Sequence, residues 1–157
     1  MAMDLAGLLD DLLAEAVTAV TADGASPPPD RQYVAHGAVA WDCELLTAHL
    51  LHVRPKLVDP RSERCAILHV ATMQVTLLRC HPTVDDRGTP PAADALSAAG
   101  SALAVDGQAL WKGLTRAWAE GAWPVGIPCS AVTWGVLEPL APSGGFAGWR
   151  LEVAVRL

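Results

Sequence analysis

Trp149-Arg150-Leu151-Glu152-Val153-Ala154-Val155-Arg156-Leu157 alternates without a break: Trp149, Leu151, Val153, Val155 and Leu157 fall on one face, and Arg150, Glu152, Ala154 and Arg156 on the other. Successive side chains of a strand point to opposite faces, so this stretch is a strand with one face in a core. Just before it, Ala131 to Leu137 reads as a second strand, with Val132, Trp134 and Val136 on one face. Glu138-Pro139-Leu140-Ala141-Pro142-Ser143-Gly144-Gly145 connects the two. Strands this close in sequence pair antiparallel in the simplest topology.

Further back, Ala71, Met73, Val75 and Leu77 alternate with Thr72, Gln74 and Thr76, which predicts a long strand from Cys65 to Cys80. Leu45 to Arg54 is apolar on both sides, and periodicity alone does not separate a buried strand from a short helix. A strand is preferred, because Pro55 closes the stretch after ten residues. Tyr33 to Ala40, with Gly37 inside it, is a third strand in this part of the chain. Between the two groups of strands, Ala92 to Glu120 predicts a long helix with Leu96, Ala99, Leu103, Leu110, Trp111, Leu114 and Trp118 as its apolar stripe. Thr89 is placed to cap it, with Pro90 and Pro91 at its first positions, where a missing N–H costs nothing. Unbroken it would run about 43 Å, with Asp106-Gly107 as the point where it would kink or split.

Residues 1–22 form an amphipathic helix, with Leu5, Leu8, Leu9, Leu12, Leu13, Ala16, Val17 and Val20 at helical spacing. Residues 24–32 are a proline-rich link. The order is helix, three strands, long helix, two strands. That predicts a single α+β domain over residues 1–157, with a mainly antiparallel sheet of four to five strands and both helices packed on one face.

Hydrophobic residues make up 52 % of the 157-residue chain and charged residues 18 %. Mean hydropathy is +0.28. A chain so apolar is expected to meet a partner through part of its surface. No apolar stretch approaches the ~18 residues of a membrane span. The first residues, MAMDLAGLLDDLL, lack the basic start of a signal peptide. The reading is therefore a cytoplasmic protein without a membrane partner, whose cysteines Cys43, Cys65, Cys80 and Cys129 are free thiols. The net charge of −6 argues against a protein that grips nucleic acid, since phosphate binding needs clustered Lys and Arg.

Chemical motifs are scarce. No phosphate-binding loop, dinucleotide fingerprint, nucleophile elbow or HExxH is present, and no cofactor or metal is expected. His49 and His52 would share a face on a helix but point apart on a regular strand. They are read as ordinary sheet histidines. Asp85-Asp86 lies among turn residues, Pro82-Thr83 before and Arg87-Gly88 after, so its carboxylates are expected to bond backbone N–H groups. Ser143-Gly144-Gly145 with Gly148 superficially suggests a phosphate loop, but no helix follows it, and a hairpin connection fits better. Of six tryptophans, Trp41, Trp111, Trp118 and Trp134 fall where a core face is expected. Trp123, in a loop before Pro124, is the one suspected of meeting a partner.

Three stretches carry a family resemblance: Val39-Ala40-Trp41-Asp42-Cys43, then Leu78-Arg79-Cys80-His81-Pro82-Thr83-Val84-Asp85-Asp86-Arg87-Gly88-Thr89-Pro90-Pro91, then Pro142-Ser143-Gly144-Gly145-Phe146-Ala147-Gly148-Trp149. In these the chain, from about residue 33 on, resembles the tail terminator and neck proteins of long-tailed (siphovirus) actinobacteriophages. The resemblance implies a non-catalytic subunit at the head–tail junction of the virion, assembled in the host cytoplasm. It would form a homo-oligomeric ring, a hexamer, on the last ring of the tail tube protein. The ring would end tube polymerisation and join the tail to the head-side connector or stopper, with DNA passing through its lumen without specific binding. Another neck protein (head-completion, stopper or connector) is the alternative. A small Cys/His hydrolase or metal-binding enzyme, or a host-directed inhibitor, belongs to different classes. The candidate structural and interface residues are Trp41, Asp42, Asp85, Asp86, Trp123, Gly144, Gly145 and Trp149.

Overall fold

Asp4 begins the first helix by accepting the Gly7 N–H at 3.0 Å, the side-chain cap that satisfies one of the free donors of a helix start. In the computed structural model, which describes residues 4–41, 43–57 and 67–157, this helix, α1, spans Leu5–Asp23. Three strands follow, β1 (Gln32–His36), β2 (Leu45–Leu57) and β3 (Ile67–Cys80), then helix α2 (Ala93–Ala119) and strands β4 (Val132–Ser143) and β5 (Phe146–Arg156). The sheet order is β1-β2-β3-β5-β4. Among the described residues β1 and β2 pair in parallel and the other pairs are antiparallel. The α+β architecture read from the sequence is the one observed.

Both helices contribute to a single apolar core on one face of the sheet. Leu9, Leu12, Ala16 and Val20 of α1 and Leu110 and Leu114 of α2 are buried with Leu46, Ala48, Met73, Val75, Leu77, Leu151, Val153 and Val155. The helices cross closely where a Cβ on Gly113 would lie 2.2 Å from that of Ala19.

Several boundaries differ from expectation, each for a physical reason. β2 runs through Pro55, which pairs with His69. β1 pairs only as far as Leu50, so Pro55 sits where β2 has an open edge among the described residues, and a proline is tolerated there. β1 itself stops at His36, because Gly37 turns at φ 102°. β4 extends through Pro139 and Pro142 to Ser143, again as an edge strand. Its register shifts between Trp134 and Leu137. The expected inward face therefore breaks, leaving Val136 71 % exposed.

Helix α2 begins at Ala93, after both prolines, and Ala92 makes no side-chain cap bond. Thr89 does not cap it, because the helix starts beyond both prolines with Ala92 at the cap position; Thr89 belongs to the preceding turn, where its N–H donates to Asp85 Oδ1. The helix runs unbroken through Asp106-Gly107, about 40 Å for its 27 residues. Both residues are buried: Asp106 pairs with Arg79 at 2.9 Å, and Gly107 leaves room for the Trp149 indole, which a Cβ would meet at 2.5 Å. Its fully buried residues start only at Asp106; of the stripe predicted from Leu96 onward, Leu96 is exposed while Ala99 and Leu103 are half-buried.

Candidate functional site

The three stretches that carry the resemblance meet at one end of the sheet. β1 and β2 run parallel, yet residues 37–44 alone link them, shorter than the usual crossover. The shortness is possible because β1 has only five residues. Gly37 (φ 102°) turns the chain out of β1, and Glu44 (φ 52°) turns it into β2. The Tyr33 hydroxyl donates to the Ala40 carbonyl at 3.0 Å. Trp41 packs against Phe146 with ring centroids 5.9 Å apart. Cys43 forms a disulfide with Cys80, and Cys80 lies opposite Phe146 in the ladder. The expectation of free thiols is therefore corrected for Cys43 and Cys80. Parallel β1–β2 pairing brings the crossover to the end of β3, a proximity that sequence spacing alone does not reveal. Cys129 is a free, exposed thiol, and Cys65 lies outside the described residues.

At the same end, the His81 N–H donates to the Gly145 carbonyl at 2.8 Å. This ties the loop after β3 to the β4–β5 hairpin. Gly144 and Gly145 form that hairpin's tip with φ 57° and 87°, values for which glycine is suited. Together with His81, Val84, Pro91 and Leu96, they line an apolar cleft of about 240 Å³. Asp85 organises the loop: its Oδ1 accepts the N–H of Arg87 at 2.9 Å and of Thr89 at 2.8 Å. The Thr89 bond, with help from Arg87, holds the carboxyl below its ordinary range. Its geometry is that of a turn-stabilising carboxylate. Asp86 is exposed beside it. Asp42 lies outside the described residues.

Two of the singled-out tryptophans sit elsewhere. Trp123 is fully buried, donates to the Leu8 carbonyl at 3.2 Å, and packs 5.9 Å from Trp134. Its assignment to a partner surface is overturned: the loop folds inward over the start of α1. Trp149 is half-buried and donates to the Leu103 carbonyl at 2.6 Å. Conversely, Trp41 is 50 % exposed and Trp111 38 % exposed, so neither is the core residue that its position suggested.

The sheet face opposite the helices adds features that the sequence reading missed. The register shift at Leu51 pairs His49 with Gln74 and His52 with Thr72. Gln74 and Thr72 share a face, so the bulge puts both histidines on that face, contrary to the expectation for a regular strand. His49 is buried, which pushes its pKa below 6.5 despite a hydrogen bond with Gln74. Its Nδ1 and the Thr47 hydroxyl have no hydrogen-bond partner. Next to Gln74, a groove of about 500 Å³ is lined by Leu51, Val136, Glu138, Arg150 and Glu152. Arg150 pairs with Glu138 across it at 2.6 Å. Leu51 in this groove is 40 % exposed, Val53 opposite Ala71 is 40 % exposed on the other face, and among the described residues β2 has no ladder partner on its far edge after Leu50. The period-two row His52, Arg54, Lys56 is the sequence signal that could have marked this surface.

Among the described residues no group of three or more His, Cys, Asp or Glu side chains could hold a metal ion. No described helix is long and apolar enough to cross a membrane. Compared with protein-family models and with curated proteins, the chain matches none.

Proposed function

We propose that this chain is a non-catalytic structural subunit of the head–tail junction of a long-tailed bacteriophage, and within that junction the tail terminator. The observation that carries the reading is the edge of β2 over residues 51–57, open among the described residues and flanked by exposed Leu51 and Val53. A sheet edge with apolar side chains beside it is a template for association with another chain. The opposite edge, β4, carries Pro139 and Pro142 and a bulge near Val136, features that blunt pairing. The two edges differ, so contact between copies would be heterologous, and a heterologous contact closes into a ring when the rotation permits. Such a ring on the tail tube would end polymerisation, present a surface to the head connector, and let DNA pass. The meeting of the three resemblance stretches at one sheet end supports a second built surface, suited to the tube or to the connector.

Immunogold labelling of purified virions tests this reading. Label confined to the junction of head and tail is expected. Label at the tail tip, on the capsid shell, or nowhere on the virion would refute the assignment. A small cysteine–histidine hydrolase is a weaker reading, because Cys80 is held in a disulfide.

A further inference from the structure

We propose that copies of this chain associate head to tail through a contact in which Arg54 and Lys56 on β2 of one copy face Asp10 and Asp11 on α1 of the next. The proposal rests on the ring reading above for its place in a particle, but the contact is a property of the purified chain.

The chain has 17 acidic against 11 basic residues, yet β2 gathers His52, Arg54 and Lys56 at alternating positions, all exposed. In the ladder they lie opposite Thr72, Val70 and Leu68, so they share the face that the helices leave open. Arg156, on β5, sits across Val70 from Arg54 on that face. Its guanidinium is engaged by the Ser130 carbonyl. Arg54 and Lys56 make no ion pair among the described residues. A desolvating partner for this row must therefore bring its own anions.

The chain carries such a surface. Asp10 and Asp11 are exposed on α1, on the outward side of a helix whose Leu8, Leu9 and Leu12 are buried. The helix packs on the sheet face opposite the basic row, so the two patches look in opposite directions. One copy cannot satisfy both, whereas a neighbour stacked face to back on it can. Leu51, exposed beside the basic row and lining the groove next to Gln74, supplies apolar area to the same contact. Charge complementarity of this kind sets register and partner choice as well as strength.

The test uses two variants of the full chain, Arg54→Glu/Lys56→Glu and Asp10→Lys/Asp11→Lys, studied by sedimentation at low and high ionic strength. All four positions are exposed, so thermal midpoints by circular dichroism should match the native chain. The native chain is expected to associate, more weakly in high salt. Each variant alone should associate about tenfold or more weakly, because like charges then face each other at every contact. An equimolar mixture should recover native association, since the acidic β2 of one variant then meets the basic α1 of the other. Arg54→Gln/Lys56→Gln should weaken association by less than reversal does. A native chain that stays monomeric, reversals without effect, or folded variants that do not recover on mixing would overturn the proposal. Loss of double-stranded DNA retention in Arg54→Glu/Lys56→Glu with unchanged self-association would overturn it too, and assign the row to DNA. Recovery on mixing by a protein that immunogold does not find in virions would leave this contact standing while removing the phage reading.

Discussion

The Arg79 guanidinium donates through Nε to Asp106 Oδ2 at 2.9 Å, while Oδ1 of the same carboxylate accepts the Ala25 N–H at 2.9 Å. The other guanidinium nitrogens donate to the Pro27 and Ser26 carbonyls at 2.8 and 3.1 Å. One buried pair thus joins the end of β3, the middle of α2 and the link after α1. Breaking such a pair leaves the remaining charge buried and unpaired. Asp106→Ala is expected to cost about 3–5 kcal/mol in denaturant unfolding. Arg79→Met/Asp106→Leu should recover much of that loss. A loss in Asp106→Ala within experimental error of zero would show that the pair does not hold these elements together.

Trp123 has no exposed surface and donates to the Leu8 carbonyl. Trp123→Ala should cost about 3–5 kcal/mol, the range for truncating a large core aromatic. Trp41→Ala, at a 50 % exposed position, should cost far less. Equal losses in the two variants would contradict the placement of both rings.

These two tryptophans mark what the sequence could reveal. The fold class was readable because strict period-two alternation in residues 71–77 and 149–157 and helical spacing in residues 5–20 each report a local geometry with one buried face. Trp123 was misassigned because a loop next to a proline reads as surface, and only tertiary packing turns it inward. The Cys43–Cys80 disulfide and the shared face of His49 and His52 were invisible for a similar reason. The first depends on parallel pairing of β1 with β2 and the second on a bulge at Leu51, and neither leaves a local signature. The turn role of Asp85 was legible, since its neighbours already had turn chemistry. The basic row on β2 was legible in principle at period two, but charge placement gains meaning only once the open face is known.

The Cys43–Cys80 bond fastens the short crossover to β3. Closing a loop of this length restricts the unfolded chain, which in the entropic account stabilises by about 3–4 kcal/mol. Cys43→Ser and Cys80→Ser should lower stability by similar amounts. Both should be insensitive to added reductant, while the native chain loses stability on reduction. Native unfolding that is identical with and without reductant would show that the bond contributes nothing.

Burial lowers the His49 pKa from its ordinary 6.5. The unfolded chain then binds a proton that the folded chain refuses, in the window between the depressed folded value and 6.5. Stability contributed by neutral His49 is complete above that window and declines as pH falls through it. His49→Gln should flatten the pH dependence of stability there, measured as denaturation midpoints across mildly acidic buffers. An unchanged slope in His49→Gln would mean that other groups set it.

The central claim is that the chain ends tail-tube growth. Electron microscopy of lysates from a phage lacking this gene tests it most directly. The account predicts overlong tubes without heads, because only the stop signal has been removed. Finished tails of normal length beside separate heads would move the protein to the head side, as a stopper or connector, and intact virions would contradict a structural role altogether.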